Sequence, residues 1–235
     1  HVLADFDGEG EARNIVGFER QVHAERRGIA SECDLVDNGV GRIFGGQILA
    51  QTLSAAARTV AAGRPVHSMQ LTFCASGRPA LPVRYTVHKL SDGATTSVRS
   101  VHAMQGAKTI CVAAVSSQRP GAAFEHEEAV AGPVPDPASQ PDAASLVEQH
   151  RSALAGHPLE FIAAKSAVEM RLVDARRHLS RPMIPGSQDR FQCWVRTPRR
   201  LPDDPVAHQC AVAYLTDYVL AHVPPLQVWP YTQTM

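Results

Sequence analysis

The sequence predicts an α+β fold in which an antiparallel sheet wraps around a long apolar helix, a plan laid out once in each half. Three observations predict it. Ile48, Leu49, Thr52, Leu53, Ala56 and Val60 recur at helical spacing and form one apolar stripe. Strand-like segments joined by tight turns follow this stripe as far as Ser117. A second apolar helical stretch, His208–His222, follows further strand-like sequence in the second half.

Taken in order, residues 1–35 mix short apolar runs with Asp, Glu and Gly and read as strand. The first helix starts at Gly46, and Gly63-Arg64-Pro65 is expected to stop it, as a glycine followed by a proline should. Val66–Cys74 alternates and ends at Ser76-Gly77. Pro82–Leu90 sets Val83, Tyr85 and Val87 against Arg84, Thr86 and His88. Ser91-Asp92-Gly93 reads as a turn with Gly at a position that favours positive φ. Thr95–Met104 and Thr109–Ser117 are the next strands, with Gln105-Gly106 turning the chain between them. Three strands in tight succession after a buried helix make the arrangement known as a hotdog.

Pro120, Pro133, Pro135, Pro137 and Pro141 then interrupt the pattern and mark a surface linker, with a short helix expected at Ala143–Ala153. Phe161–Val173 and Arg190–Arg196 read as strands. Pro202-Asp203-Asp204-Pro205 suits a helix start. The expected organisation is an N-terminal hotdog at 1–118, a linker at 119–157 and a partial C-terminal hotdog at 158–235. The meander that follows the first helix has no counterpart after the second, so either the protein lacks half a sheet or, the favoured reading, further sequence is expected beyond Met235. The native start is likewise expected upstream of His1.

The 23 basic residues balance the 23 acidic ones, which argues against a nucleic-acid partner. Arg196, Arg199 and Arg200 form a local cluster that reads as a solvated turn. Five scattered cysteines without C-x-x-C spacing suggest reduced, cytoplasmic usage, with neither a metal site nor a disulfide framework, and no cofactor is expected. Of these, Cys74, Cys111 and Cys210 sit in apolar runs and read as small core residues. No apolar stretch approaches the roughly 18 residues that a membrane span requires.

Arg42–Gln51, Val66-His67-Ser68 through Phe73, the Leu90–Gly93 turn and Phe124-Glu125-His126 form one ordered set of motifs. Pro158-Leu159-Glu160, Cys193-Trp194-Val195-Arg196, Leu201-Pro202-Asp203-Asp204 and Ala213-Tyr214-Leu215-Thr216-Asp217 form a second. In this order they resemble the acyl-CoA thioesterase II family, whose members are double hotdogs. The resemblance implies hydrolysis of medium- or long-chain fatty acyl-CoA to free acid and CoA. It implies direct attack by a water that a helix carboxylate, a threonine and a later glutamine orient, without an acyl-enzyme. Asp217 matches the carboxylate and Thr234 is aligned with the threonine, while no residue matches the glutamine. The implied partners are the acyl-CoA substrate and further copies of the chain in a homo-oligomer.

Read on its own, Asp217 stands among Ala211, Val212, Ala213, Leu215, Val219 and Leu220. Partial desolvation there favours the neutral form and makes the carboxylate a better base; the alternative is a hydrogen-bonded structural group. Gly45 and Gly46 at a helix start either offer backbone N–H groups to a thioester carbonyl or let the chain pass closely over the sheet. Gln47 and His67 are further candidates for substrate contact, the histidine more ordinarily bonding a backbone carbonyl. Ser68 lacks the G-x-S-x-G setting of a nucleophile. Leu53, Val60, Leu71, Phe73 and Val115 read as core, some of them able to line an acyl channel.

Two rival functions remain open at this level. A hydroxyacyl-thioester dehydratase needs a histidine beside a carboxylate, but His208 and His222 stand nine and five residues from Asp217, off the same-face spacing. A non-catalytic acyl-CoA binder or structural paralogue fits the unmatched glutamine.

Overall fold

The computed structural model describes residues 23–25, 28–33, 41–122, 124–126, 134–154, 168–173, 192–197 and 200–219. In it the apolar stripe forms helix α1 (Gly45–Ala57), buried on nearly every side. The helix ends earlier than Gly63-Arg64-Pro65. Arg58 caps it by donating its N–H to Ser54 O and Ala56 O, which leaves Val60 half-buried beyond the helix. The cause is tertiary: the Arg99 guanidinium donates to Thr59 Oγ1 at 2.7 Å and to Thr59 O at 2.9 Å, holding the chain just past the helix end. Gly63, at φ 77°, then turns the chain.

Six antiparallel strands form one sheet: β1 (His23–Glu25), β2 (Gly28–Cys33), β3 (Val66–Phe73), β4 (Val83–Asp92), β5 (Thr96–Gln105) and β6 (Lys108–Gln118). Their order across the sheet is β1-β2-β4-β5-β6-β3. The expected alternation holds where it was strongest, with Val83, Tyr85 and Val87 all buried on β4. That face meets α1, since the Tyr85 hydroxyl donates to Gln51 Oε1 at 2.7 Å and Thr52 Oγ1 lies 3.9 Å from Cys111 Sγ.

Two sequence-based expectations fail around the turns and the edge. Gly93 is not among the glycines at positive φ. Strand β4 runs on through Ser91 and Asp92 after a register shift between Lys89 and Ser91, and Gly93 N–H closes the turn onto Thr96 O at 2.9 Å. Phe73 and Cys74 are not core: Phe73 is 50% exposed and Cys74 is exposed, while Leu71 is half-buried. They stand on or just after β3, which among the described residues has a partner on one side only, so the described sheet does not cover them.

Helix α4 (Pro205–Val219) begins with Pro205 at its first position, and Asp204 Oδ1 accepts from Val206 N–H at 3.0 Å, as the Pro-Asp-Asp-Pro segment predicts. The chain packs as two units, and α4 as far as Thr216 belongs with the sheet and α1. Gln209 fixes it there by accepting from Val66 N–H at 3.3 Å and donating to Val66 O at 2.6 Å. Cys210, Ala211, Ala213 and Tyr214 are buried.

The second unit contains a 3₁₀ turn at Pro137–Ser139, helices α2 (Ala143–Gln149) and α3 (Arg151–Leu154), and an antiparallel pair β7 (Glu169–Leu172) and β8 (Cys193–Arg196). The single helix expected at Ala143–Ala153 is thus two, separated at His150. Asp142 caps α2 through Ser145 N–H at 3.0 Å. The proline-rich segment is pinned to the strands by Trp194 Nε1 donating to Pro135 O at 2.9 Å and Arg171 Nη1 donating to Gln140 O at 2.8 Å. Arg196, expected in a turn, lies in β8 and pairs with Glu169 at 2.5 Å, while Arg199 lies outside the described residues. Residues 161–167, 190–191 and 220–222 of the expected strands and helix also lie outside.

Candidate functional site

The Phe44-Gly45-Gly46-Gln47 motif forms the N-terminal turn of α1. Phe44 is the N-cap with no side-chain cap bond, and its carbonyl accepts from Gln47 N–H at 3.1 Å and Ile48 N–H at 3.4 Å. The segment before it is tied down by Ile43 N–H donating to Gly77 O at 3.1 Å. The Gly77 loop is held in turn by the Gln105 side-chain amide, which bonds Arg78 N–H, Arg78 O and Leu81 O at 2.9, 2.8 and 2.6 Å. Gln47 is 1% exposed, Gly46 is buried and Gly45 half-buried.

What packs against this turn is α4. The Phe44 and Tyr214 rings meet edge to face with centroids 5.0 Å apart. A Cβ placed on Gly46 would stand 2.4 Å from the Tyr214 carbonyl oxygen. The two helix backbones therefore touch at Gly46, and only glycine fits. Further along, Cys210 of α4 lies beside Ser54 of α1, so the two helices run in opposite senses.

Asp217 lies on α4, half-buried, one turn beyond Ala213 and Tyr214. Its neighbour Thr216 is engaged locally, donating Oγ1 to Ala213 O at 2.7 Å. Thr234 lies outside the described residues. His67 falls at the register shift between Val66 and Ser68, where its exposed ring meets Ser116 Oγ at 2.8 Å rather than a backbone carbonyl. His208 is exposed and its Nε2 lies 2.9 Å from Pro202 O, at the start of α4. Nine residues of helix, ~13 Å, separate it from Asp217.

The structure also presents polar groups that the sequence does not single out as site candidates. Gln51, Thr52 and Ser54 are buried on α1 beside Gln47. Gln47 and Gln51, four apart in an otherwise apolar helix, were the available signal. Nucleophilic cysteine chemistry does not suit the buried Cys111 and Cys210 or the half-buried Cys193. Burial pushes Cys111 up to about 11, Cys193 to about 11 and Cys210 to about 12, so each is a neutral thiol at physiological pH. Among the described residues no group of three or more His, Cys, Asp or Glu could hold a metal ion, and no helix is long and apolar enough to cross a membrane. What the arrangement offers chemically is a carboxylate on a helix whose preceding turn is locked in place.

A family model for the acyl-CoA thioesterase N-terminal domain matches residues 36–118, and one for acyl-CoA thioesterase matches residues 163–227. Acyl-CoA thioesterase 2 of Haemophilus influenzae is 31% identical over 182 residues, covering 77% of this chain and 62% of that protein. Human acyl-coenzyme A thioesterase 8 is 33% identical over 184 residues, covering 75% of this chain and 57% of that protein. The chain thus spans 57–62% of the length of these relatives. Among solved structures, an acyl-CoA thioesterase II from Mycobacterium marinum superposes with a TM-score of 0.64 at 26% identity, covering 88% of this chain and 67% of that one.

Proposed function

The chain belongs to the acyl-CoA thioesterase family, and from that premise we propose that the protein hydrolyses acyl-CoA thioesters to a free acid and CoA. Asp217 acts as the general base. Its carboxylate takes a proton from a water, the water oxygen attacks the thioester carbonyl, and the collapsing intermediate expels CoA thiolate. The observation that carries this reading is the ordered match of both family segments, the second of which spans α4 and Asp217. Thr234 is proposed to help orient the water, with Gly45, Gly46, Gln47 and His67 as candidates for contact with the acyl-CoA. We read the organisation as an N-terminal hotdog (1–118), a linker with a short helix (119–157) and a partial C-terminal hotdog (158–235). Family resemblance further favours medium- or long-chain fatty acyl groups, a cytoplasmic setting and a homo-oligomer.

Dehydration is the weaker alternative, because His208 is engaged at the start of α4, far along the helix from Asp217. The test is CoA release by the full-length native protein across a series of acyl chain lengths. Turnover should fall ~10²–10³-fold in Asp217→Asn, the scale of a lost general base. Undiminished turnover in that variant would sink the base assignment, and acyl-CoA binding without any turnover would replace hydrolysis with a carrier role.

A further inference from the structure

We propose that Gly46 is a positioning residue for Asp217: the motif at the start of α1 sets the place of the carboxylate by fixing the turn of α4 that leads into it. The inference rests on the reading of Asp217 as the base and deepens it.

The contact at Gly46 differs in kind from the others that hold α4. Gln209 holds the helix through a side chain that can adjust. At Gly46 the obstacle is the Tyr214 carbonyl oxygen, part of the α4 backbone itself. A methyl group there would stand 2.4 Å from that oxygen and 2.5 Å from Phe44 Cε1. The Phe44 ring can swing aside, but the carbonyl can retreat only if the helix moves. Tyr214 precedes Asp217 by three residues, so the two side chains share a helix face and a shift of this turn is carried to the carboxylate. Misplacement of a reacting group by ~1 Å costs on the order of 10²-fold in rate.

This role makes no demand on the Gly46 N–H, which alanine retains. A positioning role and a direct substrate contact therefore give different results in a double-mutant cycle. In the full-length protein, Gly46→Ala should lower kcat by roughly 10- to 100-fold while KM for the acyl-CoA stays within about threefold. In an Asp217→Asn background the same substitution should change the residual rate by less than about twofold, because the carboxylate it displaces is already gone. An equal loss in both backgrounds, a rise in KM alone, or an unchanged kcat would overturn the proposal. Should Gly46→Ala fail to fold, Phe44→Leu decides: it removes the ring edge from Tyr214 and should lower kcat ~3- to 10-fold only when Asp217 is present. Unchanged kcat in Phe44→Leu would then overturn it. If Asp217→Asn turns over normally, the base assignment falls; if Asp217→Asn is dead while Gly46→Ala is fully active, only this inference falls.

Discussion

Helices α1 and α4 pack against each other, yet they are covered in different ways. α1 is enclosed on nearly all sides and buries polar groups as well as apolar ones, among them Gln47, Gln51, Thr52 and Ser54. The described part of α4 buries Cys210, Ala211, Ala213 and Tyr214 but leaves Val212 at 61% exposure. A helix wrapped by a sheet has no solvent face for its polar residues, so they need partners inside, as Gln51 has in Tyr85. Where α4 meets α1 it carries small residues, Cys210, Ala211 and Ala213, and at Gly46 the two backbones approach closely.

Four substitutions probe this difference by denaturant unfolding of the native protein. Ile48→Ala, at a site 2% exposed on α1, should destabilise most, by about 2–5 kcal/mol, because the enclosed site cannot collapse onto the cavity. Gln51→Leu should cost ~1–3 kcal/mol by withdrawing the acceptor from the buried Tyr85 hydroxyl. A loss as small as that of a surface substitution would show that α1 is less enclosed than its contacts imply.

Asp92→Asn probes the far end of α1, where Arg99 holds both Thr59 and the Asp92 carboxylate, the latter at 2.7 Å. The Arg99 and Ser97 hydrogen bonds hold Asp92 below its ordinary value of 3.8. A lowered folded-state pKa stabilises fully above that ordinary value and is lost as pH falls through the folded value. Asp92→Asn should therefore lower Tm modestly at pH 7, with the gap from the parent closing under acid; a gap that persists would rule out the charge as its source. Val212→Ala, at a site that the described residues leave 61% exposed on α4, should change stability least, within about 0.5 kcal/mol; a larger loss would show that further residues cover this face.

Much of the fold was legible because it is written in local periodicity. The alternation of Val83, Tyr85 and Val87 and the turn at Gly106, which sits at φ 57°, need only the residues themselves. The same logic misjudged Phe73 and Cys74, since an apolar pattern says nothing of whether a strand lies at the edge of its sheet. It also misplaced the end of α1, because Arg99, a residue of a later strand, captures Thr59.

The candidate site divides in the same way. Asp217 was legible as a lone acid in an apolar helix, and Phe44-Gly45-Gly46-Gln47 as an unusual helix start. Their relation was not, because it passes through one carbonyl oxygen of Tyr214 lying against Gly46. By itself the sequence determined the presence of the two long helices, the strands of the first sheet that follow α1 and the family, all of which depend on side-chain type and spacing along a short stretch. Only the tertiary structure decided which helix rests on which, and that one glycine must stay bare. Close approach of two backbones is a distance between remote parts of the chain, and no local pattern encodes it.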